Sequence, residues 1–135
     1  SLVGSEMCIR DRVMLGQFAS QKKEYDKAAD YLSRALALAK DDNAKIAINA
    51  SIGQCWFYKA QDRVAAVKGV LSPAARAQFN EVYNKAITYL EAARKLDTLK
   101  EQKSSWAYPL YGCYYFVKGP QAPETLEVAA IAGVQ

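Results

Sequence analysis

The chain reads as an all-α protein built from antiparallel helix-turn-helix units, and three observations carry that reading. In residues 24–40, EYDKAADYLSRALALAK, the side chains of Tyr25, Ala28, Leu32, Ala35, Leu36 and Leu38 recur at three- and four-residue steps. They share one stripe of a helix, while Lys27, Asp30 and Arg34 point elsewhere. Residues 82–97, VYNKAITYLEAARKLD, repeat that stretch almost position for position: Tyr83, Lys85, Ala86, Leu90 and Leu96 stand where Tyr25, Lys27, Ala28, Leu32 and Leu38 stand. Upstream of each block a glycine is followed by glutamine, in Leu15-Gly16-Gln17 and in Ile52-Gly53-Gln54.

Composition agrees with a single globular domain. At 135 residues the chain is long enough to bury roughly two-thirds of the surface it exposes when unfolded. With 51% apolar residues and no Gly/Ser-, Gln- or Pro-rich tract, it is not of disordered type. The net charge of +4 comes from lysines and arginines interspersed with acids, the pattern of solvated helix faces and not of a phosphate-binding stripe. The chain has no histidine, which excludes within it a His general base, a Ser-His-Asp triad and a His-ligated metal. Cys8, Cys55 and Cys113 form no CxxC pair; Cys55 and Cys113 lie in apolar helical stretches, as small buried thiols do. No apolar run reaches the 18 or so residues of a membrane span.

Taken in order, residues 1–12, SLVGSEMCIRDR, fit neither hydrophobic period. As a string they resemble translated sequencing-adapter read-through at the ends of metagenomic gene predictions, so a non-native segment is expected there, with the domain covering 13–135 and the native start lost. A first hairpin follows over about residues 13–42, with Lys22, Lys23 and Glu24 as its turn. Asp41, Asp42 and Asn43 are turn and N-cap residues for a helix whose core stripe is Ile48, Ile52, Cys55 and Trp56. That helix does not stop near Ala60. It carries on toward Ser72-Pro73, an N-cap followed by proline at the first helical position, where a new helix begins. The second hairpin therefore spans about residues 43–97, with roughly twenty residues inserted that should lengthen both of its helices. A third runs over about 104–132, with Gly112 in the role of Gly53, Pro109 in its opening turns, Gly119-Pro120 ending its first helix and Pro123 starting the last.

The Leu-Gly and later Ala spacing, the paired Tyr-x-Lys-Ala blocks and the Ala-Leu helix ends are similar to tetratricopeptide repeats of the bacterial type. The resemblance covers about residues 13–132 and implies a short α-solenoid of two and a half to three repeats, the second elongated. The three glycines are expected at close helix crossings, where a missing side chain lets backbones approach.

In that family the first helices line a concave groove that binds a peptide or protein segment. Carried over by position, the groove residues are Gln17, Gln54, Phe57, Tyr58, Trp106 and Phe116, with the two glutamines bonding a partner's backbone and the rings covering its side chains. The carboxylate-clamp positions hold Val13, Ala47, Ala50, Ser51, Gln54 and Pro109, so the clamp for a peptide's terminal carboxylate is absent. A second reading has the aromatics as core between helices, or as surface covered by further repeats of a longer chain. Tyr108, Tyr111, Tyr114 and Tyr115 are too widely spread for one helix face, so some must meet solvent or a partner. The expectation is a non-enzymatic protein-interaction scaffold with no cofactor and no metal. Its partner would be a protein or peptide, with homo-oligomer contacts or contacts to missing repeats as further options. The alternatives are single-stranded nucleic-acid binding and a purely structural fragment. Glu81, Glu91 and Glu101, ten residues apart, do not share a helix face as a catalytic pair would. The compartment, cytoplasmic or cell-envelope, is left open.

Overall fold

The computed structural model describes residues 5–135, with side chains from Cys8 onward. Six helices follow one another: α1 (Ser5–Gln21), α2 (Tyr25–Leu38), α3 (Asp42–Ala65), α4 (Pro73–Leu96), α5 (Lys103–Lys118) and α6 (Pro123–Ala132). No strand occurs among the described residues.

The helix ends follow local chemistry. Asp41 caps α3, its carboxylate accepting from the Ala44 amide at 3.2 Å, and Ser72 caps α4 by accepting from the Ala75 amide at 3.1 Å, with Pro73 just inside. Gly119, at φ 100°, ends α5 in a conformation that a side chain would strain. The inserted stretch lengthens both helices of the second hairpin: α3 and α4 have 24 residues each, against 17 and 14 in the first pair.

Residues 1–4 of the segment expected to be non-native lie outside the described residues. The remainder is part of α1, which runs unbroken through residue 13, and Ile9 packs beside Val13 against the first core cluster.

Extensive contacts join consecutive helices along the chain and, beyond these, α3 with α5. Two clusters result. Ala28, Leu32, Ala35, Ile48, Ile52 and Cys55 lie between α1, α2 and α3. Phe57, Tyr83, Leu90, Trp106, Leu110, Cys113 and Val128 lie between α3, α4, α5 and α6. Trp56 packs against both, and its ring is flanked by the Lys59 and Lys85 ammonium groups at 5.1 and 4.7 Å from the centroid.

Gly16 and Gly53 occupy equivalent crossings. A Cβ at Gly16 would stand 2.8 Å from Leu32 Cγ and 3.4 Å from the Ala28 carbonyl oxygen; at Gly53 it would stand 2.5 Å from Leu90 Cγ and 3.3 Å from the Ala86 carbonyl oxygen. Those partners are the same matched positions of the repeated block. Gly112 departs from the pattern. Its neighbour is the Phe57 ring of α3, 2.5 Å from where its Cβ would be, and not its hairpin partner α6. The buried stripe of α5 is Trp106, Leu110 and Cys113, which turns Gly112 toward α3.

Candidate functional site

The six residues read as groove lining go to three different places. Gln17 and Tyr58 are on the surface, Tyr58 being 42% exposed with its ring edge-on to Phe57 at 5.2 Å. Trp106 is 0% exposed and corrects its assignment. Its indole Nε1 donates to Asp97 Oδ2 at 2.9 Å, and Asp97 also accepts from the backbone amides of Glu101 at 3.1 Å and Gln102 at 2.9 Å. A buried carboxylate with three donors ties the loop between α4 and α5 to the core.

Gln54 is corrected for a reason that Pro109 supplies. Proline has no N–H, so inside α5 the carbonyl of Ser105, four residues back, loses its helical donor. The Gln54 side-chain amide donates to that carbonyl at 2.7 Å. It is a structural substitute for the missing helix bond.

Phe57, 2% exposed, belongs to the core, yet one edge of it reaches a cleft. Together with Gln61, Tyr83, Tyr108, Tyr111, Gly112, Tyr115 and Phe116 it lines a cavity of about 410 Å³ between α3, α4 and α5. Phe57 and Phe116 are thus the two expected residues that the fold brings to one site. Tyr83 stacks obliquely on Phe116 with centroids 4.7 Å apart, and the Arg76 guanidinium lies 4.9 Å from the Phe116 centroid at the cleft margin. Of the tyrosine-rich segment, Tyr114 turns inward and donates from its hydroxyl to Glu91, whereas Tyr108 and Tyr115 are exposed and Tyr111 is half-buried.

Sequence reasoning passed over Tyr83 as an ordinary core position of the repeated block. It is 4% exposed, and its hydroxyl makes no hydrogen bond among the described residues. Burial, with the Cys113 thiol nearby, pushes this phenol from 10.0 up to about 12, so it stays a neutral donor. No side chain that lines the cleft is ionised at neutral pH.

A second cavity, of about 480 Å³, opens between the α1–α2 turn and the end of α3, lined among others by Lys23, Asp26, Lys59 and Asp62. Three of its charged groups have partners within the lining. The Tyr25 hydroxyl donates to Asp62 Oδ2 at 2.9 Å, and Lys59 pairs with Asp26. The three cysteines are free, and burial raises the Cys55 thiol from 9.0 to about 11. Among the described residues no group of His, Cys, Asp or Glu is placed to hold a metal ion, and no helix is long and apolar enough to cross a membrane.

Helices that repeat one crossing twice, with an uncharged aromatic cleft on the third pair's side, define an all-helical, repeat-like protein. Comparison with protein-family models, curated proteins and solved structures finds no match.

Proposed function

We propose that the chain is a short tetratricopeptide-like solenoid, a non-enzymatic scaffold that holds a peptide or protein segment in the cleft between α3 and α5. One observation carries this reading. Large apolar side chains exposed within helices concentrate on the first helix of each pair: Met14, Leu15 and Phe18 on α1, Tyr58 on α3, Tyr108 and Tyr115 on α5. The second helices expose far less, Leu96 at the end of α4 and Leu126 on α6. Water contact with such groups is unfavourable unless a partner removes it.

The equivalent crossings at Gly16 and Gly53 support the repeat assignment, and the contact of α3 with α5 supports a groove between these two first helices. The groove differs from the six-residue version read by position, because Gln54 and Trp106 are committed to the fold.

A peptide array probed with the chain tests the proposal. Binding should be saturable, depend weakly on salt, and fall on Tyr108→Ala, a 57% exposed ring of the cleft, at an unchanged melting temperature. Retention of single-stranded RNA or DNA with a steep salt slope, and of no peptide, would replace it with nucleic-acid binding.

A further inference from the structure

Cations and acids alternate along the sequence, but the fold sorts them by end. The α1–α2 turn, the link between α3 and α4 and the end of α5 lie at one end of the molecule: Tyr25 bonds Asp62, Asp26 pairs with Lys59, and the Arg76 guanidinium rests on Phe116. Residues 21–27, 59–76 and 118–124, which make up this end, hold eight Lys or Arg and four Asp or Glu, an excess equal to the +4 of the whole chain. Three of those acids are engaged, Asp26 with Lys59, Glu124 with Lys118 at 3.8 Å, and Asp62 with the Tyr25 hydroxyl. Lys22, Lys23, Lys27, Arg63 and Lys68 make no ion pair among the described residues.

The elongated hairpin projects from that end. Asp62 lies level with the first turn of α2 and Arg76 level with the last turn of α5, so residues 63–75 pass beyond both neighbouring pairs. Every residue from 65 to 70 is exposed. Gly69, at φ 83° and with open space beside it, turns the chain at the tip. Val70 follows at 97% exposure, more than any other large apolar side chain among the described residues, with Val67 and the half-buried Leu71 on either side of it in sequence. From residue 63 to residue 80 there is no acid, whereas Arg63, Lys68 and Arg76 all fall there.

A convex tip offers no groove to a peptide, and this one carries no aromatic ring on which a nucleobase could stack. An anionic bilayer surface suits both of its parts. Apolar tip residues enter the boundary between headgroups and acyl chains, and cations beside them meet the lipid phosphates, each worth about fivefold in partitioning. No helix among the described residues is long and apolar enough to cross a membrane, so the contact is with the surface. We propose that the tip of the second hairpin, residues 63–76, docks the protein reversibly on an anionic lipid surface. Val70 and Leu71 enter the interface, and Arg63, Lys68 and Arg76 face the headgroups, with the lysines of the α1–α2 turn behind them. The tip shares no residue with the aromatic cleft, so either can act without the other.

Sedimentation of the full chain with vesicles of phosphatidylcholine alone, and of phosphatidylcholine mixed with phosphatidylserine, tests this. The chain should bind the mixed vesicles only, and less as salt is added. Val70→Asp, at a side chain almost wholly in solvent, should weaken binding at least about tenfold at an unchanged melting temperature, and Lys68→Ala about fivefold. Leu99→Asp is the control. Leu99 is 78% exposed in the α4–α5 loop at the opposite end, and its substitution changes the net charge by the same amount, so vesicle binding should stay nearly unchanged. Equal losses for Leu99→Asp and Val70→Asp would mean a diffuse attraction to net charge and overturn the tip. Equal binding to both kinds of vesicle, or to neither, overturns the anionic surface. Salt-sensitive retention of oligouridylate by a chain that ignores vesicles overturns it in favour of nucleic acid. Peptide binding in the cleft is reported separately by Tyr108→Ala and stands or falls on its own.

Discussion

The Gln54–Ser105 hydrogen bond can be separated from everything else in α5 by a double-mutant cycle. Gln54→Ala leaves the Ser105 carbonyl without a donor, because residue 109 is proline. A buried acceptor left unsatisfied costs about 1–3 kcal/mol, and since Gln54 and Ser105 are both half-buried the lower part of that range applies, about 1–1.5 kcal/mol. For a chain of this length that lowers the melting temperature by roughly 3–5 °C. Pro109→Ala restores an N–H that can close the ordinary helix bond to Ser105, at the expense of contacts made by a buried ring. In that background Gln54→Ala should cost only a few tenths of a kcal/mol. The cycle, measured by urea unfolding followed by far-UV circular dichroism, should return a coupling of about 1 kcal/mol. Additive single effects, within about 0.5 kcal/mol, would refute the claim that Gln54 stands in for the missing amide. It would then be free for a partner after all.

Three further outcomes follow from packing and charge. Gly53→Ala should destabilise by about 1–3 kcal/mol although alanine is the better helix former, because its Cβ would collide with the fully buried Leu90; Gly16→Ala, meeting Leu32 at 2.8 instead of 2.5 Å, should cost less. Stabilisation at either glycine in a denaturant titration would contradict the close crossings. Asp97→Ala should cost about 2–4 kcal/mol by stranding the Trp106 indole and two loop amides, with a shift in tryptophan emission on melting. Stability should hold below about pH 9 and decline from there toward pH 12. Cys55 and Tyr83 titrate near 11 and 12 in the fold against 9.0 and 10.0 otherwise, so the unfolded chain releases those protons first. A flat urea midpoint between pH 8 and 11.5 would count against both buried groups.

Much of the architecture was present in the one-dimensional pattern. Helix existence and ends depend on neighbours three or four residues away, so Asp41, Ser72-Pro73 and Gly119 announced their boundaries, and a doubled block announced that Gly16 and Gly53 mark equivalent crossings, which the structure shows to be against Leu32 and Leu90. The inserted residues extend the two helices they join and form the non-helical link over 66–72 between them. In α5 the pattern lost contrast. Nearly every position from Trp106 to Val117 is apolar or aromatic, so periodicity does not say which face is core, and the glycine pointed to the wrong register.

What the tertiary structure alone decided is who satisfies whom. Gln54 finds a carbonyl 51 residues away that a proline has orphaned, Trp106 finds Asp97 across a loop, and Tyr83 finds nothing and is left facing an aromatic cleft. Such pairings depend on distances between helices, set by how closely glycines and alanines let backbones approach. Spacing along the chain does not encode those distances, whereas the amphipathic stripes that made the helices are local and can be read directly.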